Sequence, residues 1–86
     1  MESNEVIFYP LMTESASIMV EKENKLVFII SLKAGKTDVK KAVEELYEVK
    51  VARITTLITP QGQKKAFVKL TPEYKASDVA IKLGIL

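Results

Sequence analysis

Five consecutive apolar residues, Leu26-Val27-Phe28-Ile29-Ile30, constrain this chain more than any other feature. The run is β-branched and lacks the polar alternate positions of a strand with one wet face. It reads as a central strand over Lys25–Leu32, covered on both sides. It is far short of the ~20 residues that cross a bilayer. Everything else in an 86-residue chain has to be arranged around it. A chain of that length is expected to form one domain, residues 1–86, burying roughly 60–65% of the surface it exposes when unfolded.

The flanking periodicities supply the cover. Val6–Tyr9 is a short β-prone run stopped by Pro10, a strand or extended arm, with residues 1–8 expected to be a flexible arm. Thr13 caps a helix whose first residue is Glu14 and whose apolar positions are Ala16, Met19 and Val20. That helix ends near Asn24, a residue that tolerates the left-handed conformation. After the break at Ala34-Gly35, Thr37 is expected to cap the strongest helix, with Val39, Ala42, Val43, Leu46 and Tyr47 on its apolar face. Val51–Thr59 alternates, placing Ala52, Ile54, Thr56 and Ile58 on one face and Val51, Arg53, Thr55 and Leu57 on the other. Pro60-Gln61-Gly62-Gln63 is a turn. Lys64–Thr71 alternates again, Ala66, Val68 and Leu70 inward and Lys65, Phe67 and Lys69 outward, which completes a hairpin. A last helix uses Ala76, Val79, Ala80 and Leu83, with Ser77 as its cap and Gly84 as its stop. The order (β)-α-β-α-β-β-α predicts an α+β fold, a small antiparallel or mixed sheet with helices packed on it.

Composition removes chemistry. The chain has no cysteine and no histidine, which excludes disulfides, thiol nucleophiles, Cys/His zinc sites and Ser-His-Asp triads. With three glycines there is no phosphate-binding Gly-rich loop. No pair of carboxylates is nominated for acid–base work, so no enzyme, metal, cofactor or small-molecule substrate is expected. Glu2 and Glu5 stand where a signal peptide needs positive charge, so the expected location is cytoplasmic, with no membrane partner.

Charge is segregated along the chain although the net is only +2. Residues 1–24 hold five acids and one base, residues 25–43 five bases and one acid, and residues 49–70 five bases and no acid. Folded onto one face, the basic blocks make a phosphate footprint; left apart, they merely solvate one side. Two candidate sites follow. On the outward face of the hairpin, Lys65, Phe67 and Lys69 with Arg53 and Thr55 set an aromatic among cations, as single-stranded nucleic acid requires, unless a helix packs on Phe67. Around the start of the second helix, Lys33, Lys36, Lys40 and Lys41 with Thr37 offer an anion site beside free backbone N–H groups. Lysines there oppose the helix dipole, and an anionic partner supplies a reason for them. Lys64–Leu70 shares only its Ala-Phe-Val centre with the RNA-recognition-motif strand, a weak match. An exposed Val6–Tyr9 strand that pairs with a protein partner is a further reading.

Taken together, the segments resemble the universal large-subunit ribosomal protein family numbered twenty-three, in its short archaeal form. Tyr9-Pro10-Leu11-Met12-Thr13-Glu14 is similar to the family's opening. Lys25–Ile29, then Ala34, Lys36-Thr37, Val39–Glu44 and Leu46-Tyr47 resemble its central strand and helix. Val49-Lys50-Val51, Thr56-Leu57-Ile58 and Lys64–Leu70 resemble its hairpin, and Asp78-Val79-Ala80 with Leu83-Gly84 its archaeal C-terminus. Ser15 stands where members usually have Lys, and Thr55 where they usually have Asn. The turn at Pro60–Gln63 replaces the long basic extension with which bacterial members reach the peptide tunnel.

The resemblance implies a structural constituent of the large subunit, seated on large-subunit ribosomal RNA beside the nascent-chain exit. It implies as neighbours the small ribosomal protein numbered twenty-nine and, docking from outside, the signal recognition particle and other exit-site factors. RNA contacts are expected at Lys33, Lys36, Thr37, Lys40, Lys41, Arg53, Thr55, Thr56, Lys64, Lys65, Phe67 and Lys69. Factor docking is expected at Met12, Thr13 and Glu14. A free-standing domain that binds single-stranded RNA through the Phe67 face is the alternative.

Overall fold

A computed structural model describes residues 2–11 and 13–84. The elements are α1 (Ser3–Val6), β1 (Ile7–Pro10), α2 (Glu14–Glu23), β2 (Lys25–Ile30), α3 (Lys36–Tyr47), β3 (Val51–Ile58), β4 (Lys64–Leu70) and α4 (Ala76–Leu83). The fold is α+β in the expected order, with the short turn of α1 added. The four strands form one sheet in the order β1-β2-β4-β3, antiparallel at every pairing. The apolar run is therefore interior, as its composition demanded. β4 lies between β2 and β3, so those two run parallel without touching and α3 crosses over from one to the other.

The pleat sorts β2 into two sets. Leu26, Phe28 and Ile30 enter the main core with Ala66, Val68 and Leu70 of β4. Val20 of α2, Val39, Ala42 and Val43 of α3, and Ala76, Val79 and Ala80 of α4 close over them. Phe28 stacks on Tyr47 of α3 with ring centroids 5.7 Å apart, an aromatic pair of about 0.5–1.5 kcal/mol beyond its area. Val27 and Ile29 point the other way, beside Phe67 and Lys65 of β4 in register. Val27 and Ile29 are buried, 5% and 2% exposed, but stand outside that core cluster.

Several local expectations give way to tertiary effects. Within residues 1–8, expected as an arm, α1 packs on α3 and Val6 is buried. The Ser31 N–H donates to the Val6 carbonyl at 2.9 Å, tying the segment to the end of β2. The cap of α3 is Gly35 rather than Thr37, and the Asp38 carboxylate accepts from the Gly35 N–H at 2.9 Å. That leaves the Thr37 hydroxyl in the first turn, exposed. Val51 and Ile54 both face the core although their separation is odd, because the register skips Ala52: Val51 pairs with Leu70 and Arg53 with Lys69. A bulge of this kind resets which residues face which way. It keeps Val51 in the core while turning Arg53 to the open face. Glu44 of α3 holds it, accepting from the Val51 N–H at 3.0 Å.

Asn24 joins three elements. Thr13 caps α2 as expected, its hydroxyl accepting from the Ala16 N–H at 3.1 Å, and Asn24 ends the helix in the left-handed region at φ 56°. Its amide then donates to the Tyr74 carbonyl at 2.9 Å and lies 3.3 and 3.4 Å from those of Leu70 and Thr71. Its Oδ1 accepts from the Ala76 N–H at 2.6 Å. Ser77 is consequently not the cap of α4. The N-cap is Lys75, whose side chain makes no cap bond, and the acceptor comes from Asn24 instead.

Candidate nucleic-acid interface

The open face of the sheet is organised in rows by strand register. In one row Lys25 of β2, Lys69 of β4 and Arg53 of β3 are neighbours, with Lys25 opposite Lys69 and Lys69 opposite Arg53. In the next, Val27, Phe67 and Thr55 align; in the third, Ile29, Lys65 and Leu57, with Tyr9 of β1 beside Ile29. Rows two residues apart are roughly 6.5–7 Å apart along the strand. Phe67 is half-buried and outside the main core cluster. It stands on β4 between Lys65 and Lys69. Lys25, Arg53, Thr55, Phe67 and Lys69 together line a depression of about 230 Å³. The Tyr9 hydroxyl accepts from the Gln63 side chain at 2.9 Å, fastening the hairpin turn to β1 across this face.

Like charges directly opposite each other on antiparallel strands are destabilising, on the order of 0.2–1 kcal/mol per pair. Three cations in one row carry that cost twice, with little relief from the fold. Among the described residues the one ion pair is Lys25 Nζ with Glu23 at 3.3 Å, on side chains open to water, where such a pair contributes little. An anion laid across the row removes the repulsion. A base stacked on Phe67 adds ~1–3 kcal/mol.

The second candidate region meets the first at Arg53. Lys36, Thr37 and Lys40 on the first turns of α3 face Arg53 and the bulge of β3 across a cleft of about 310 Å³. Arg53 thus lines both the cleft and the sheet depression, and the two basic blocks of the sequence converge at that side chain. The N-terminal N–H groups of α3 and its dipole add partial positive charge there.

Other expected contact residues lie apart. Lys41 lines a separate hollow with Glu2, Asp38 and Glu45, three acids around one base. Lys64 and Thr56 have the parity of the helix-covered face, opposite Ile30 and Ala66 respectively. The Lys64 ammonium donates to the Ala34 carbonyl at 2.7 Å and ties β4 to the β2–α3 loop. Lys33 is exposed on that loop. Thr13 and Glu14 are exposed at the start of α2, with the Glu14 carboxylate at the positive end of the helix dipole. Met12 lies outside the described residues. Lys25 was missed by sequence reasoning: it is the first residue of a strand whose two buried faces give no parity, and only the pairing with Lys69 reveals where it sits.

Among the described residues no helix is long and apolar enough to cross a membrane, and no group of three or more acids is placed to hold a metal ion. The family model for ribosomal protein L23 matches residues 5–84. The large ribosomal subunit protein uL23 of Methanococcus aeolicus is 53% identical over 85 residues, 99% of this chain and 99% of its own length. A match that runs through every strand and helix of the sheet and its cover makes this chain a member of the ribosomal protein L23 family.

Proposed function

We propose that the protein is a structural constituent of the large ribosomal subunit that binds large-subunit ribosomal RNA through the open sheet face and the adjoining α3 cleft. The observation that carries this is the row Lys25–Lys69–Arg53 beside Phe67, in a chain half-identical to a large-subunit protein. The row supplies phosphate contacts, Phe67 and Thr55 supply a stacking surface and a hydroxyl, and Lys36, Thr37 and Lys40 extend the footprint past the bulge. Recognition of this kind reads RNA shape and backbone rather than sequence. The cytoplasmic ribosome is the location this implies.

In the same reading the chain sits beside the nascent-chain exit, next to the ribosomal protein numbered twenty-nine. Thr13 and Glu14 at the start of α2 then offer a docking surface for the signal recognition particle and other exit-site factors, to which Met12 belongs in sequence. What supports this is the placement of exposed Thr13 and Glu14 on α2, away from the basic row.

The test is sedimentation of a tagged copy expressed in the source organism. Co-migration with the large subunit after a high-salt wash, near one copy per particle, is the expected result. Recovery at the top of the gradient refutes the ribosomal reading and leaves a free RNA-binding domain using Phe67, which would then bind short unstructured RNA and lose it in Phe67→Ala. Docking is tested separately: ribosomes carrying Glu14→Lys should recruit less signal recognition particle, and unchanged recruitment removes Glu14 from that role.

A further inference from the structure

Beyond the sheet face, the lysines around the Asn24 corner form a groove of about 520 Å³. Lys22, from the last turn of α2, Lys25, Lys69 and Lys75 line it together with Glu23 and Asn24. Four cations converge there on one acid, and that acid already pairs with Lys25. Lys22, Lys69 and Lys75 make no ion pair among the described residues.

Two features point to an anionic occupant. The first is Lys75 itself. It occupies the N-cap of α4, its side chain makes no cap bond, and it holds a positive charge at the positive end of the helix dipole, where an acid or a small polar residue is favoured. The folded state gains nothing visible from a lysine at this place. The second is continuity: Lys25 and Lys69 line both this groove and the sheet depression that also contains Arg53 and Phe67. The corner is also rigid. The hydrogen bonds of Asn24 hold the end of α2, the end of β4 and the start of α4 in one arrangement, so the ammonium groups are carried on a preorganised frame.

We infer that the groove of Lys22, Lys25, Lys69 and Lys75 is a second phosphate-binding tract, over which the backbone of the same ribosomal RNA continues as it leaves the sheet face. The inference rests on the proposed RNA-binding function and adds to it a direction: the strand turns the Asn24 corner from sheet to α4. Lys22 and Lys75, which the sequence does not nominate, become RNA contacts.

The experiment measures binding of the full-length protein to purified large-subunit ribosomal RNA across a series of salt concentrations. Wild type is compared with Lys22→Ala/Lys75→Ala and with the sheet-face double variant Arg53→Ala/Lys65→Ala. Each lost phosphate contact should reduce the slope of log affinity against log salt by about 0.7–0.9, so the corner variant is expected to lose about 1.4–1.8. A slope unchanged in the corner variant but reduced in the sheet-face variant overturns the inference and leaves the function standing. Unchanged slopes in both remove the RNA reading itself. Lys75→Glu guards against a folding artefact, because an acid at that position suits the helix dipole and should not lower the melting temperature. Reduced slope with an undiminished melting temperature is the expected signature, and a normal slope in this variant counts against the tract.

Discussion

Replacing Asn24 by alanine should be among the most damaging substitutions outside the apolar core. The side chain makes two well-formed bonds, accepting from the Ala76 N–H at 2.6 Å and donating to the Tyr74 carbonyl at 2.9 Å. Each is worth about 1 kcal/mol net, and leaving the N–H of a fully buried residue such as Ala76 without a partner costs about 1–3 kcal/mol. The contacts at 3.3 and 3.4 Å are too long to add much. A Cβ-bearing residue without a short polar side chain at φ 56° is strained by about 1–2 kcal/mol. Taking the orphaned Ala76 N–H in place of the bond it loses, the total is about 3–6 kcal/mol, against a stability of roughly 4–13 kcal/mol for a chain of this size. Even the lower figure corresponds to a drop of about 12–24 °C in melting temperature, read by circular dichroism. Asn24→Gly separates the two components. It relieves the left-handed strain, recovering about 1 kcal/mol relative to alanine, yet still lacks both hydrogen bonds. If Asn24→Gly proves as stable as wild type, the backbone conformation alone explains the residue and the cross-element clamp is refuted.

Arg53→Ala should weaken binding to large-subunit RNA and lower its salt slope by about 0.7–0.9, with little effect on melting temperature, because the guanidinium is exposed. Glu44→Ala removes the acceptor for the Val51 N–H and should cost about 1 kcal/mol, with faster hydrogen exchange at the start of β3; undisturbed exchange there would show that the bulge holds itself. Burial raises the pKa of Tyr47 above its ordinary value of 10.0. The folded state therefore keeps the phenol proton after the unfolded chain has begun to lose it, so this contribution is intact below pH 10 and declines as pH rises beyond it. Tyr47→Phe should flatten the alkaline fall in stability, as followed by urea titrations between pH 9 and about 11.

The elements were legible where their signals are local. The β2 run, the Thr13 cap, the left-handed Asn24 and the outward Lys65-Phe67-Lys69 stripe all follow from neighbours within a few positions. What escaped depends on distant partners. The cap of α4 is supplied from residue 24, some fifty positions upstream, so no reading of the Lys75–Ser77 segment could find it. Strict alternation put Val51 with Arg53, whereas the skipped Ala52 separates them. The candidate site was legible as residue types, with lysines and one phenylalanine in the right segments. Its arrangement was not. Lys25 joins Lys69 and Arg53 only through pairing register, while the bond from Lys64 to the Ala34 carbonyl draws a cation that sequence would assign to RNA into the fold itself.

The position of β4 in the sheet also sets an order of events during synthesis. Its strand is the last to be made, yet it lies between β2 and β3. Until residue 70 has emerged, β2 can pair only with β1, and the five apolar residues that define the fold keep one bare hydrogen-bonding edge. The sheet cannot be closed progressively from one side. It must wait for a central strand that arrives late, and the start of α4, held by Asn24, follows a few residues later. Nascent chains truncated before Leu70 should accordingly be prone to edge-to-edge association, while those extended past Ala76 acquire the complete sheet and its clamp almost together.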